Sequence, residues 1–134
     1  MANVGDSRAI LSADHGQDWY SLSRDHRPSE PYEISRIKEN GGHVYQHSPE
    51  IDVMRVFPGR LSVSRTFGDI HAKIPARGGK EGVVIAKPEV SQFTIKDDYH
   101  DFIVMGCDGI FDKLDSPAVM NVAWDTIKRG KAST

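Results

Sequence analysis

Val104-Met105-Gly106-Cys107-Asp108-Gly109-Ile110-Phe111-Asp112 carries an apolar run straight into a carboxylate, a glycine and a second carboxylate. Asp101–Met105 reads as a strand, and the almost wholly apolar Phe102-Ile103-Val104-Met105 predicts burial on both faces. If Gly109–Asp112 makes a helical turn, Asp108 and Asp112 project from one side of it. Carboxylates at a rigid strand end suit hard, oxygen-seeking cations such as magnesium or manganese. Asp-Gly is also a common turn pair, and taken alone the turn is the stronger reading.

Outward from this stretch, Glu89–Ile95 reads as a strand, joined to Asp101–Met105 by a polar turn at Lys96–His100. Downstream, a helix begins at Ser116 with Pro117 as its first residue. Its apolar stripe is Val119, Met120, Ala123, Trp124 and Ile127, and Gly130 is its expected stop, leaving 131–134 frayed. Toward the N-terminus, Ala2–Leu11 reads as one strand without lead-in. Asp14-His15-Gly16 supplies a turn, and Trp19–Leu22 completes a hairpin. Ser29 is the expected N-cap of a helix with Pro31 in its first turn and Gly41-Gly42 as its stop; Ile34 and Ile37 share a face. Short β-type runs follow at Val44–Gln46, Val53–Phe57 and Leu61–Val63. The stretch 68–83, with Gly68, Pro75, Gly78, Gly79 and Gly82, reads as a loop or flap.

Composition narrows the class. A chain of 134 residues, 38% hydrophobic and 27% charged, has material for one soluble globular domain. A net charge of -2 with no long basic run argues against nucleic-acid or membrane-surface partners, and Lys128–Lys131 reads as a solvated helix end. The lone Cys107 excludes an internal disulfide. No apolar stretch approaches the ~20 residues that cross a bilayer, and the N-terminus lacks a signal peptide's pattern. A cytoplasmic or nuclear protein is expected.

Several segments together resemble one family. Gly5-Asp6-Ser7-Arg8 resembles its Gly-Asp-Ser-Arg strand. Asp25-His26-Arg27-Pro28-Ser29, with Glu33, Arg36-Ile37 and Gly41-Gly42 after it, resembles its Asp-His-Lys-Pro segment. Leu61-Ser62-Val63-Ser64-Arg65-Thr66-Phe67-Gly68-Asp69 is similar to its Leu-Ala-Val-Ser-Arg-Ala-Phe-Gly-Asp run, and Lys87-Pro88-Glu89-Val90 to its Glu-Pro-Glu-Val. Gly106-Cys107-Asp108-Gly109-Ile110-Phe111-Asp112 matches its Ala-Cys-Asp-Gly-Ile-Trp-Asp signature. The family is the type 2C, metal-dependent serine/threonine phosphatases, and the match is to the C-terminal portion of the domain. The order and spread of these motifs exclude chance.

The resemblance implies an α+β fold: part of a four-layer sandwich of two antiparallel sheets flanked by helices, truncated at both ends, with 1–134 as a single partial domain. It implies phosphoserine and phosphothreonine protein substrates, attacked by a water that two magnesium or manganese ions activate. Carried over by position, Asp108 matches a ligand of the two-metal core. Asp6 and Asp112 match carboxylates of a weaker third metal, and Gly5 and Gly109 let the backbone come close at these points. Arg65, Gly68 and Asp69 fall in or beside the flap, Arg65 and Asp69 as residues that tie it down, and the flap is the expected seat of partner and substrate selectivity. No cysteine nucleophile is needed, so Cys107 is expected to pack in the core. Asp108 is expected to face a cleft beside Asp6.

Parts of the family pattern do not occur here. The Asp-Gly-His-Gly motif, the Glu-Asp pair, the phosphate-gripping arginine and the Asp-Asn pair are absent, and Asp14-His15-Gly16 belongs to the hairpin turn. The histidines at 15, 26, 43, 47, 71 and 100 show no helical metal spacing. A single core carboxylate cannot hold two cations about 3.5–4 Å apart. Negligible activity of the chain alone is therefore expected, with open sheet edges that favour self-association or a complementary N-terminal half as partner. The alternative is a non-catalytic, pseudophosphatase-like interaction module.

Overall fold

Residues 1–48 and 51–132 are described by the computed structural model. In chain order the elements are β1 (Ala2–Asn3), β2 (Arg8–Ala13), β3 (Asp18–Ser21), α1 (Pro31–Glu39), β4 (His43–Ser48), β5 (Ile51–Phe57), α2 (Ile70–Lys73), β6 (Glu89–Val90), β7 (His100–Gly106), α3 (Asp108–Phe111) and α4 (Ser116–Ala132). The sheets are β3-β2-β7, β4-β5 and β1-β6. The fold class is α+β, with antiparallel pairing in both larger sheets. The chain divides into two compact units: Met1, Ser7–Arg24 and Val90–Thr134 form one, Ala2–Asp6 and Asp25–Glu89 the other.

In the first unit β2 is the central strand, antiparallel to β3 (Leu11 opposite Tyr20) and to β7 (Leu11 opposite Ile103). Alternation along β2 sends Ile10 to the side where Phe111, Val119 and Met120 pack, with Phe102 and Val104 partly buried against them. The α4 stripe is therefore as expected. Trp124 adds a hydrogen bond from its Nε1 to Ser12 Oγ at 2.9 Å. The hairpin turn also stands as expected: Asp14 and His15 adopt left-handed backbone, and the Asp101 carboxylate accepts from the His15 and Gly16 amides.

The second unit has its own core of Ile37, Val56, Ala72, Val83 and Val84. Helix α1 starts behind Glu30, not Ser29, because Pro31 opens it and no side chain caps it. It ends where Gly41 turns left-handed (φ 73°) and Gly42 returns its amide to the Ile37 carbonyl at 2.8 Å. Gly42 sits so close to its neighbours that a Cβ would meet Val83 Cγ1 at 2.7 Å and the Phe57 carbonyl at 2.9 Å.

Several expectations are corrected. Ala2–Leu11 is two strands, because Gly5 (φ 104°) breaks it with a turn. Leu61–Val63 is not a strand; Leu61 makes a single bridge to Val56. The stretch after Val90 leaves the sheet at once, and β7 pairs with β2 instead. The flap contains α2 and a 3₁₀ turn at Pro75–Arg77. Gly130 does not stop α4, which runs on to Ala132: a single glycine costs a helix only about 1 kcal/mol. Residues 133–134 of the expected frayed tail lie outside the described residues. Finally, β7 is not buried on both faces. Ile103 is 44% exposed and Met105 73%, because only the side bearing Phe102 and Val104 meets the α4 core.

Candidate functional site

The β7-to-α3 corner is built as the local sequence predicts. β7 ends at Gly106, Cys107 stays extended, and Asp108 opens a short helix. The Asp112 amide donates to the Asp108 carbonyl at 2.9 Å, which sets the two carboxylates one helical turn apart on α3. Both residues are exposed, as is Gly109, whose open position leaves the backbone accessible. The corner is anchored from behind. Phe111 is buried in the α4 core, and the Arg8 guanidinium lies 4.7 Å above its ring. Arg8 also donates from Nη1 to Ser116 Oγ, so strand β2 and the start of α4 brace α3.

One expectation fails here: Cys107 is exposed instead of packed in the core. The apolar strand that leads into it is covered on one side only.

Asp6 lies in the other unit, immediately after the Gly5 turn. It is partly buried, and its carboxylate meets the Arg27 guanidinium at 3.3 Å. Arg27 Nε lies 3.5 Å from the mostly buried Asp25. The turn is held by His26, which the sequence did not single out. The Gly5 amide donates to His26 Nδ1 at 3.2 Å, and the Gly5 carbonyl accepts from the His26 amide at 2.9 Å. His26 is 2% exposed, and its Nε2 faces Glu89 at 3.4 Å. Burial, then the nearby Arg65 charge, lower the pKa of His26 below its ordinary value, with Glu33 and Glu89 opposing. Neutral imidazole with its proton on Nε2 leaves Nδ1 to accept from the Gly5 amide, while Nε2 lies near Glu89 without making a hydrogen bond.

Arg65, Gly68 and Asp69 belong to the flap's near end. Arg65 is buried and forks onto Glu33, with Nη2 at 2.6 Å and Nε at 3.1 Å from Oε1. Its Nη1 donates to the Lys87 carbonyl. Glu33, 2% exposed, also accepts from Ser64 Oγ and from Arg36 Nη2. Arg36 in turn donates through Nη1 to the Gly82 and Val83 carbonyls. Burial pushes the Glu33 carboxyl up, but hydrogen bonds from Arg65, Arg36 and Ser64 outweigh it and hold the pKa at about 2. Asp69, left-handed at φ 45°, accepts from Thr66 Oγ1 at 3.0 Å. Lys73 Nζ donates to the Thr66 and Gly68 carbonyls at 2.6 Å each. Sequence reading placed Glu33 in the Asp-His-Lys-Pro resemblance but gave it no role, because a charged residue on α1 is normally solvated; its helical spacing beside Ile37 was the available signal.

Asp108 and Asp112 offer the oxygen donors a hard cation takes. Among the described residues, however, no group of three or more histidine, cysteine, aspartate or glutamate side chains gathers to hold a metal ion. The described residues do not make a complete metal site.

Comparison with known proteins matches residues 1–134 to the family model described as Protein phosphatase 2C. The chain is 36% identical over 99% of its length to "Probable protein phosphatase 2C 12" of Oryza sativa subsp. japonica, covering 34% of that protein. It is 37% identical to "Protein phosphatase 1A" of Bos taurus over 82% of its length and 26% of that protein. A solved phosphatase from a pathogenic strain of Toxoplasma gondii superposes with a TM-score of 0.67 at 32% identity, over 97% of this chain and 37% of the other. The chain thus spans between about a quarter and somewhat over a third of the length of these relatives.

Proposed function

Since the chain belongs to the protein phosphatase 2C family, we propose that it carries part of a magnesium- or manganese-dependent phosphatase centre acting on phosphoserine and phosphothreonine proteins. The observation that carries this is the α3 corner. Asp108 and Asp112 stand exposed, one helical turn apart, on a helix braced by Phe111 and Arg8. Oxygen donors on a rigid element are what a cation-assisted attack on a phosphate ester needs.

Alone, the chain turns over phosphoesters negligibly, because its ligand set is incomplete. It acts with a partner that supplies the family motifs it does not contain, namely Asp-Gly-His-Gly and Asp-Asn. The flap that Arg65, Gly68 and Asp69 help to shape is the expected seat of substrate and partner selectivity. A cytoplasmic or nuclear setting belongs to the same proposal and rests on cysteine usage.

The test is hydrolysis of p-nitrophenyl phosphate with manganese, by the pure chain and by the chain mixed with the N-terminal half of a relative's domain. The expected result is no measurable turnover alone and manganese-dependent turnover in the mixture, lost on Asp108→Asn. Substantial activity of the pure chain that Asp108→Ala abolishes would overturn the inactive-alone reading. No activity in a mixture that forms a stable complex would favour a non-catalytic binding module.

A further inference from the structure

Asp6, expected to serve a metal, has a guanidinium beside it, and the fold builds that contact. Reciprocal hydrogen bonds tie Gly5 to His26, through the ring at Nδ1 and through the backbone amide. They set residues 5 and 6 alongside residues 26 and 27. The His26 carbonyl accepts from the Ser64 amide at 2.8 Å, and Pro28 is fully buried, so the backbone on both sides of Arg27 is fixed. Arg27 is therefore delivered to Asp6 by the fold, and its contact is not the chance meeting of two surface side chains. Its guanidinium reaches Asp6 at 3.3 Å and Asp25 at 3.5 Å, and Asp25 is only 8% exposed. A mostly buried carboxylate requires a counter-charge. Guanidinium supplies one that no physiological pH removes.

We propose that Arg27 is the resident cation of the Asp6–Asp25 pair, standing where a divalent ion would otherwise be drawn to Asp6 and thereby keeping cation binding there weak. The inference rests on the proposed metal role of Asp6. A cation approaching Asp6 must displace or tolerate a fixed positive charge, whereas Asp108 stands exposed to solvent. Removing the charge at 27 raises the local negative potential at Asp6 and Asp25. Lysine keeps the charge but not the planar guanidinium that lies within 3.5 Å of both carboxylates, so it restores only part of the effect.

The experiment follows backbone amide resonances of the full chain during titration with manganese chloride, whose paramagnetism broadens nearby signals. In the wild type, amides around Asp108 and Asp112 broaden at lower manganese than those of Gly5 and Asp6. In Arg27→Ala and Arg27→Gln, the manganese needed to broaden Gly5 and Asp6 falls about fivefold, as loss of one partly exposed counter-charge implies. Arg27→Lys lies between, and Arg27→Ala combined with Asp6→Asn returns to the weak binding. Equal midpoints in wild type and both neutral variants overturn the proposal. So does a gain that survives Asp6→Asn, or unfolding of both neutral variants, which would make Arg27 a purely structural residue. Absence of broadening around Asp108 and Asp112 in every variant would instead sink the metal-centre reading above, while the comparison at Gly5 and Asp6 stays readable.

Discussion

Glu33 concentrates more of the second unit's polar energy than any residue the sequence advertises. Breaking a buried carboxylate–guanidinium pair from one side leaves an uncompensated charge. Glu33→Gln is accordingly expected to destabilise the chain by about 3 kcal/mol at neutral pH, read from urea unfolding. The pH dependence has a definite sign. With the folded pKa at about 2 and the ordinary value at 4.5, the stabilisation is complete above pH ~5 and is lost as pH falls toward 2. The melting temperature should fall over that window in the wild type, with a shallower slope in Glu33→Gln. His26 behaves in the same sense nearer neutrality. Its lowered pKa means the unfolded chain takes the proton first, so its contribution is full above about pH 6.5 and declines below. Nitrogen chemical shifts should show His26 neutral, with the proton on Nε2, at a pH where free imidazole is half protonated. A protonated ring there would refute the hydrogen-bond assignment to Gly5.

Among the elements, the join of α1 to β4 is closely packed. Gly42→Ala places a methyl within 2.7–2.9 Å of Val83 and the Phe57 carbonyl, and is expected to cost about 2 kcal/mol by thermal melting. A neutral effect would mean the join can open without loss. Elements of this kind were legible beforehand where a periodic apolar stripe met a punctuating residue. Pro31 with Gly41-Gly42 bounded α1, and Val119, Met120 and Trp124 marked the inner side of α4. Legibility failed where tertiary pairing decides. Val90 to Ile95 has a strand's composition, yet β7 takes its ladder from β2. Apolar content in Phe102–Met105 suggested two covered faces, but alternation around a central strand gives it one. At the candidate site, the positions of Asp108 and Asp112 followed from strand-then-turn chemistry. The Arg27 contact to Asp6 and the burial of His26 did not, because both depend on segments that meet only after folding.

For the whole molecule, the exposed Ile103 and Met105 on β7 are the feature with the largest solution consequence. Among the described residues β7 has a ladder partner, β2, on one side only. An apolar strand with an open edge is a template for another chain. The chain should self-associate in a concentration-dependent way by light scattering, and Ile103→Lys with Met105→Lys should shift it toward monomer without loss of helical signal. A sharply monomeric wild type would exclude this surface as the cause. The other feature with molecular reach is the Glu33 clamp. Arg65 holds the chain before the flap and Arg36 holds it after, both on one carboxylate, so residues 66–81 form a closed ring in all but covalent terms. Lengthening a ring whose mouth is already pinned costs little: doubling it costs only about 0.6 kcal/mol. Insertions in the exposed stretch 74–78 should therefore be tolerated, whereas Ala72 packs in the unit's core and must keep its place.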